Sequence, residues 1–471
     1  MIEARRLQRT FGEGLIEEEV ADLWEDWMRH ADAVLSDEKL IETVYLALAK
    51  RSPRSQNFGR PGTPAEVVLR LLVLKHARDW SYDTLEREVR ANLVYREFTR
   101  VGAGKVPDAK TLGQLGRTLG PEVVEKIHQR VVALAQEEKI VQGKRLRVDT
   151  TVVETNIHHP TDSSLLGDGV RVLTRTMKKI TELAGEAGTR LRNRMRSVQH
   201  RLIEIGRASR SKGEAGREKL KKSYEELLSA TGQVVRQAQR FSAEIASGVK
   251  HSADVFEQAA LEGHKKFIDT MVPRVQQVIR QTKARVLEGT NHFAEKLLSI
   301  FEPTTEIIRK GKAGKPTEFG KMVKIQEAEN QIVTSYEVYS QRPSDSDLLI
   351  PAIETHQEQL GRAPRLVAAD AGFYSAKNEA GAQARGVERV AIPNRSTKSA
   401  ERKRHQKKRW FRKAQKWRTG CEGRISLLKR RHGLDRCLYK GDGGMKRWVG
   451  LGVIADNLIN IGRKLAAQNS G

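Results

Sequence analysis

Cysteine is nearly missing from this chain of 471 residues, Cys421 and Cys437 being the two present. Neither sits at the spacing of a zinc knuckle or a redox pair, so a disulfide framework is excluded and a reducing compartment is expected. Long apolar runs are lacking as well. No stretch approaches the roughly 20 residues of a membrane helix, and the opening MIEARRLQRTFGEG has no apolar signal core. The expectation is a soluble, intracellular protein. Acid is the third shortage: 59 Asp and Glu face 85 Lys and Arg, for a formal net charge of +26. That balance speaks about partners rather than fold, and it points to polyanions, nucleic acid first. Ribosomal and membrane-surface proteins share the bias, so charge alone does not choose among them. Hydrophobic residues at 38% still permit a packed core, and the length suggests two or three domains.

Proline is absent between Pro160 and Pro273, so long helices can run there unbroken. Residues 1–140 read as helices forming an N-terminal DNA-binding domain of helix-turn-helix type. Thr63-Pro64 is expected to open one helix, with Val67, Val68, Leu71, Leu72 and Leu74 on its apolar face; Ser81 and Asp108 are expected to cap two more. A small helical bundle with a solvated basic face fits the same pattern. The texture changes at Lys144, where KRLRVDTTVVET alternates and is rich in Val and Thr, as in a strand. Residues 170–300 read as a helical insertion of long, charged helices, with turns near Gly185 and Gly213 and little material for a large core of its own. Strand texture returns at 319–340 as a hairpin around Ala328-Glu329-Asn330, followed by a helix from about Asp347 to Leu360. The strand RLVAAD ends at Asp370, and a helix and the short strand VERVAIP follow. A helix carrying Glu422 and a last apolar helix close the chain. This order is that of an α/β, ribonuclease H-like core with a mixed five-stranded sheet, a helical N-terminal domain and a helical insertion after the first strand. The catalytic domain then spans 141–465.

Phosphodiester chemistry by two magnesium ions needs hard oxygen ligands on rigid elements, with room left for the phosphate. Three acids stand where such a core would bring them together: Asp149 within the first strand, Asp370 at the end of a buried strand, and Glu422 in a helix. Alone, each would read as a surface or capping residue. From Asn394 to Arg418 there are twelve Lys or Arg and one acid, with Trp410, Phe411 and Trp417 interleaved. Arg402, Lys403, Arg404, Lys407, Lys408, Arg409, Arg412 and Lys413 are therefore expected to track phosphates. Lys429 falls two turns beyond Glu422 on the same helix face and is expected to reach a phosphate too. His158 and His159 suggest a turn rather than a metal site, and Asp162 a local cap.

These segments resemble the DDE transposases of bacterial insertion sequences. Around the third acid that family shows Tyr, two residues, Arg, three residues, Glu, six residues, Lys. Arg418, Glu422 and Lys429 match the last three positions, and Gln415 replaces the tyrosine. DTTVVETNIHHPTDSSLL from Asp149, ADAGFYS around Asp370 and KRRHGLDRCLYKG from Lys429 resemble the family's other motifs, and the first of these is similar to the ISNCY group. The resemblance runs from about residue 60 to 465, outside much of the insertion.

The resemblance implies Asp149, Asp370 and Glu422 as catalytic metal ligands, with Arg418 and Lys429 on phosphate and Asn156 and Gly372 in support. It implies two Mg²⁺ ions, Mn²⁺ being able to substitute, with Asp149 shared between them. It further implies cleavage at the element's ends, joining of the freed 3′-hydroxyl to target DNA, double-stranded DNA as partner, a homodimer on paired ends and a place at the bacterial nucleoid in the cytoplasm. Two rivals stay open: a nuclease that never joins strands, and a catalytically inactive, domesticated DNA-binding protein.

Overall fold

The central strand is β1 (Arg145–Thr155), whose neighbours on the two sides run in opposite senses. The computed structural model describes residues 1–6, 14, 18–50, 62–211, 213–290, 293, 295–309 and 316–469; residues 7–13 of the opening segment and Lys212 at an expected turn lie outside them. The sheet also holds β2 (Glu306–Ile308), β3 (Glu318–Glu327), β4 (Val333–Val338), β5 (Leu366–Ala368), β6 (Arg389–Ala391) and β7 (Arg436–Cys437). Its order is β2-β3-β1-β5-β6, with β4 on β3 and β7 on β1. The β1–β3 and β3–β4 pairs are antiparallel; β1–β5, β5–β6 and β1–β7 are parallel. The sheet is thus mixed and seven-stranded rather than five-stranded. β2 and β7, of three and two residues, are too short to leave an alternating pattern in the sequence.

Because side chains alternate across a strand, β1 addresses two layers. Leu146, Val148 and Val152 join Leu349, Ile353, Phe373 and Val390 in one core, against α11 (Leu349–Leu360) and α12 (Ala376–Ala384). Val153, on the other face, packs with Leu428 of α14 (Arg409–Arg431), Trp448 of α15 (Gly441–Asn469) and Leu434 between them. Asp149 belongs to the α14 face and Thr150 to the other.

Ahead of the sheet come α1 (Asp26–Leu35), α2 (Glu38–Ala49), α3 (Ala65–Ala77), α4 (Tyr82–Ala91), α5 (Leu93–Phe98) and α6 (Ala109–Glu137). Ser81 and Asp108 accept from Thr84 N and Thr111 N as expected of caps. Thr63 does not cap α3: Pro64 itself holds the cap position with extended ψ, and the helix starts one residue later than expected. These helices share one core with Leu451, Ile454, Leu458 and Ile461 of α15. Arg70, fully buried in α3, is saturated by Asp32, Glu66, Ser36 and Phe98 O.

The chain divides into two compact units, Met1–Asn156 with Ile307–Gly471, and Ile157–Glu306. The second is made of α7 (Asp162–Ala184), α8 (Met195–Ala208), α9 (Glu214–Ala246) and α10 (Val255–Val286). It begins earlier than residue 170 and, contrary to the expectation of little core, buries Leu166, Leu173, Met177, Leu227, Val234, Phe241, Ile268 and Val275 together. Charge counted over whole helices hid the apolar face of each. Asp162 is not a cap; Thr161 and Ser164 form a reciprocal capping box, and Asp162 lies in the first turn, paired with Arg285.

Strand β4 is pinned at its start. Val333 N donates to Asn457 Oδ1 at 2.8 Å, and Val333 O accepts from Asn457 Nδ2 at 2.8 Å and from His128 Nε2 at 2.9 Å. Burial pushes His128 down to about 4, from 6.5. The unfolded chain therefore takes up a proton between those values that the fold refuses, so stability is lost as pH falls through that window, by on the order of 3 kcal/mol when complete. His128→Gln keeps a donor for Val333 O without the titration. The stability gap between wild type and this variant, from urea unfolding, should shrink from pH 7 to pH 4; a constant gap would refute the assignment.

Candidate active site

The side chains that gather on the α14 face of β1 are charged, and their placement follows from register. β1 and β5 run parallel with Arg147 opposite Ala368, so Asp149 and Asp370 each stand two residues further along neighbouring chains. Asp149 Oδ1 accepts from Thr150 N at 2.8 Å. Asp370 starts the turn Ala371–Phe373, where its Oδ1 accepts from Gly372 N at 2.9 Å.

Helix α14 is laid against this edge by residues on one stripe. Phe411 and Ala414 pack on Ala368 and Ala391, with Trp410 and Trp417 at the margin. Of the interleaved aromatics Phe411 is thus buried in packing, and Trp410 and Trp417 are half-buried beside it. Gln415, in the position where the family has tyrosine, donates from Nε2 to the carbonyls of Ala369 and Ala391, holding the ends of β5 and β6 beside Asp370. Arg147 is buried behind them, bonded to Glu327 and Trp417 O and lying 4.9 Å from the Trp417 ring. The Cys421 thiol is pushed well up by burial, then by Glu327 and Asp149, which leaves it unreactive.

One turn further, Arg418 Nη1 lies 2.9 Å from Glu422 Oε1 and 3.7 Å from Asp149 Oδ2. Arg418 and Asp149 side chains are each 14% exposed, whereas Glu422 is 56% exposed. The guanidinium thus spans the gap between strand and helix and joins two acids that would otherwise repel. Lys429 points to Glu318 at the start of β3, 3.8 Å away. Among the described residues no three His, Cys, Asp or Glu side chains stand close enough together to hold a metal ion as they are. The donor set nonetheless suits one: carboxylate oxygens from adjacent chains and a facing helix, two of them already gathered around a cation.

Other sequence-flagged residues separate into two groups. Lys403, Arg404, Lys407 and Lys408 on and just after α13 (Ala400–Lys407), and Arg409, Arg412 and Lys413 on α14, are exposed. Arg402 departs from its expected role: it donates to both oxygens of Glu379 at 2.8 Å and to Ile392 O, over the Tyr374 ring. It braces α13 against α12 instead of facing solvent. Asn156 is exposed just beyond β1. His158 lies 3.6 Å from Asp168 within the helical unit.

Asp345 is the residue that sequence reading missed. It opens a short turn before α11 and accepts from Thr150 Oγ1 at 3.1 Å, on the face of β1 opposite Glu422. Its Oδ2 and Asp370 Oδ1 both lie 3.2 Å from the point where a Gly372 side chain would begin. Asp345 therefore braces the residue next to Asp149 and lies beside the turn that carries Asp370. In the sequence it reads as an acid in the first turn of a helix, favourable there for the dipole alone.

Residues 24–116 match a family described as "Transposase domain (DUF772)", and residues 378–461 one described as "Transposase DDE domain". An uncharacterized protein, ORF8 in the nfe locus of Rhizobium meliloti, is 30% identical over 152 residues, covering 28% of this chain and 72% of that protein. No solved structure matches. The two matched domains, on a chain built around a mixed sheet, define a transposase. The chain belongs to the DDE transposases of insertion sequences. Among the described residues no helix is long and apolar enough to cross a membrane.

Removing the brace should cost activity without unfolding. Asp345→Ala is expected to slow DNA cleavage roughly 10–100-fold, the usual effect of losing a partner that orients a ligand, with an unchanged thermal midpoint. Gly372→Ala, which forces one of two carboxylates to shift, should show the same pattern. Full activity in both variants would remove Asp345 from the site.

Proposed function

We propose that this transposase binds the ends of its mobile element, hydrolyses phosphodiester bonds there and joins the freed 3′-hydroxyls to target DNA. The observation that carries the reading is Arg418 holding Asp149 and Glu422 across the gap between β1 and α14, beside the turn that bears Asp370. An inactive descendant would have no use for that arrangement. The order β4-β3-β1-β5-β6, with β3 antiparallel to β4 and β1, supports a ribonuclease H-like core. The segment after Asp149 supports placement near the ISNCY group.

In this reading Asp149, Asp370 and Glu422 hold two Mg²⁺ ions, with Mn²⁺ able to substitute. Bound there, the ions supply Lewis-acid activation of the attacking oxygen and stabilise the leaving one. The chain's own contribution is placement. Gln415 holds the carbonyls beside Asp370, Asp345 holds Thr150 next to Asp149, β1 fixes Asp149, and Arg418, paired with Glu422, would be free to meet phosphate where metal held that acid. In the first step water oxygen bonds to phosphorus and the 3′-oxygen leaves as a hydroxyl; in the second that hydroxyl attacks a target phosphate and displaces another 3′-oxygen. Neither needs a covalent protein intermediate. Arg418 and Lys429 then meet phosphate in place of Glu422 and Glu318. The helices of residues 1–140 read the element's ends, the exposed bases of α13 and α14 hold backbone regardless of sequence, and two copies act on paired ends.

Asp149→Asn, Asp370→Asn and Glu422→Gln should each abolish Mg²⁺-dependent cleavage of an end-bearing duplex while binding to that duplex stays within about threefold of wild type. Retained cleavage in any of them would overturn the assignment of that acid. A pre-cut end offered with target DNA separates this reading from a simple nuclease, since joined product should form.

A further inference from the structure

Between α7 and α8 the chain makes a non-helical crossing, residues 185–194, that is longer and better fastened than a helix connection needs. Glu244 of α9 accepts from Thr189 N at 3.0 Å and also from Thr189 Oγ1. Lys250, with no exposed surface, donates to Ala187 O and lies 3.7 Å from Glu244 and 4.5 Å from the Phe241 ring. Gln237 donates to Arg190 O at 2.8 Å and accepts from Arg192 N. Gly188 sits at φ +71°, where a side chain would meet Glu244 Oε2 at 2.7 Å. A buried ion pair and an amide thus hold the backbone from Ala187 to Arg192 in one conformation.

That clamp displays arginine. From Arg190 to Arg210 the chain has seven arginines, no lysine and one acid, Glu204. Arg201 is withdrawn by Glu204 and Glu226, and Arg190 meets an exposed Glu186, a weak pairing in water. Arg192 and Arg196 are exposed and Arg194 half-buried. Along α8 the buried face is Val198, Ile205 and Ala208, which leaves Arg196, His200, Ile203 and Arg207 on one outward line. At 1.5 Å per residue Arg196 and Arg207 stand about 16 Å apart, close to half a turn of duplex.

We infer that this clamped arginine loop and the outward line of α8 form a second DNA-binding surface, which grips the phosphate backbone of duplex DNA without reading sequence. Guanidinium forks suit phosphate oxygens, and a loop whose backbone is already set loses little backbone entropy on binding. The outward line of α8 carries one large apolar side chain, Ile203, too little apolar area for a protein partner of ordinary size. The inference rests on the transposase reading for its partner but not on the carboxylates.

The test uses the full chain and a random-sequence duplex, with binding followed by fluorescence anisotropy over a salt series. Arg192→Ala/Arg194→Ala/Arg196→Ala should weaken binding at least tenfold at 0.1 M salt and flatten the slope of log K against log salt by about 2–3. The same three changed to Lys should restore most of both. Lys219→Ala/Lys221→Ala/Lys222→Ala, which removes equal charge from α9, should have a much smaller effect. Equal losses in the two alanine triples, or no loss in the first, would overturn the surface. If the loop triple misfolds, Arg207→Glu on the exposed line of α8 gives the same reading. Wild type that fails to bind duplex at all would overturn the transposase reading itself, whereas normal wild-type binding with an unaffected loop triple sinks only this inference.

Discussion

Carboxylates brought to neighbouring positions of a sheet repel one another, and this molecule is arranged around making that repulsion bearable. Asp149 is mostly buried, so its charge is poorly screened, and Arg418 lies between it and Glu422 as a counter-charge. A guanidinium in that place has two uses. It stabilises the two acids as they stand, and under the proposed function it would be free to meet phosphate wherever metal ions held them.

Much of the surrounding polar packing serves to keep α14 in register with the sheet. Arg147 binds the buried Glu327 and the carbonyl of Trp417. Burial pushes the Glu327 carboxyl up, and Arg147 pulls it back. Further along, Arg424 meets Asp456 of α15 at 2.8 Å, with His432 3.6 Å from the same carboxylate. Such pairs contribute little net stability compared with apolar replacements, but breaking one leaves a buried charge unmatched. Their consequence here is registry. A helix able to slide by one residue would carry Glu422 off the Asp149 side of β1.

The framework was readable because its signals are local. The alternation through KRLRVDTTVVET marks β1, the apolar run before Asp370 marks β5, and Ser81 and Asp108 mark helix starts by their caps. What escaped depends on contacts distant in sequence. Asp345 meets Thr150 across 195 positions, and nothing near it in the chain distinguishes it from any acid at a helix start. Arg402 looks like its basic neighbours until Glu379 and Ile392 O come into reach. The arginines, lysines, tryptophans and phenylalanine of 395–418 seemed to form one binding stretch, yet Phe411 is buried under α14, Trp410 and Trp417 are half-buried beside it, and of the bases Arg402 and Arg418 turn to carboxylates while the others are exposed. The helical unit concealed its core for a related reason: each helix is mostly polar, and only their apolar stripes, once apposed, make an interior.

The central claim is that Asp149, Asp370 and Glu422 hold the metal ions together, and iron-directed cleavage of the polypeptide tests it most directly. With Fe²⁺ in place of Mg²⁺, ascorbate and peroxide generate hydroxyl radicals that cut the chain close to the bound ion. The account predicts cuts clustered near residues 149, 370 and 422 in the same molecule, suppressed by excess Mg²⁺ and lost in Asp149→Asn. Cuts confined to other segments, or an unchanged pattern in that variant, would contradict it.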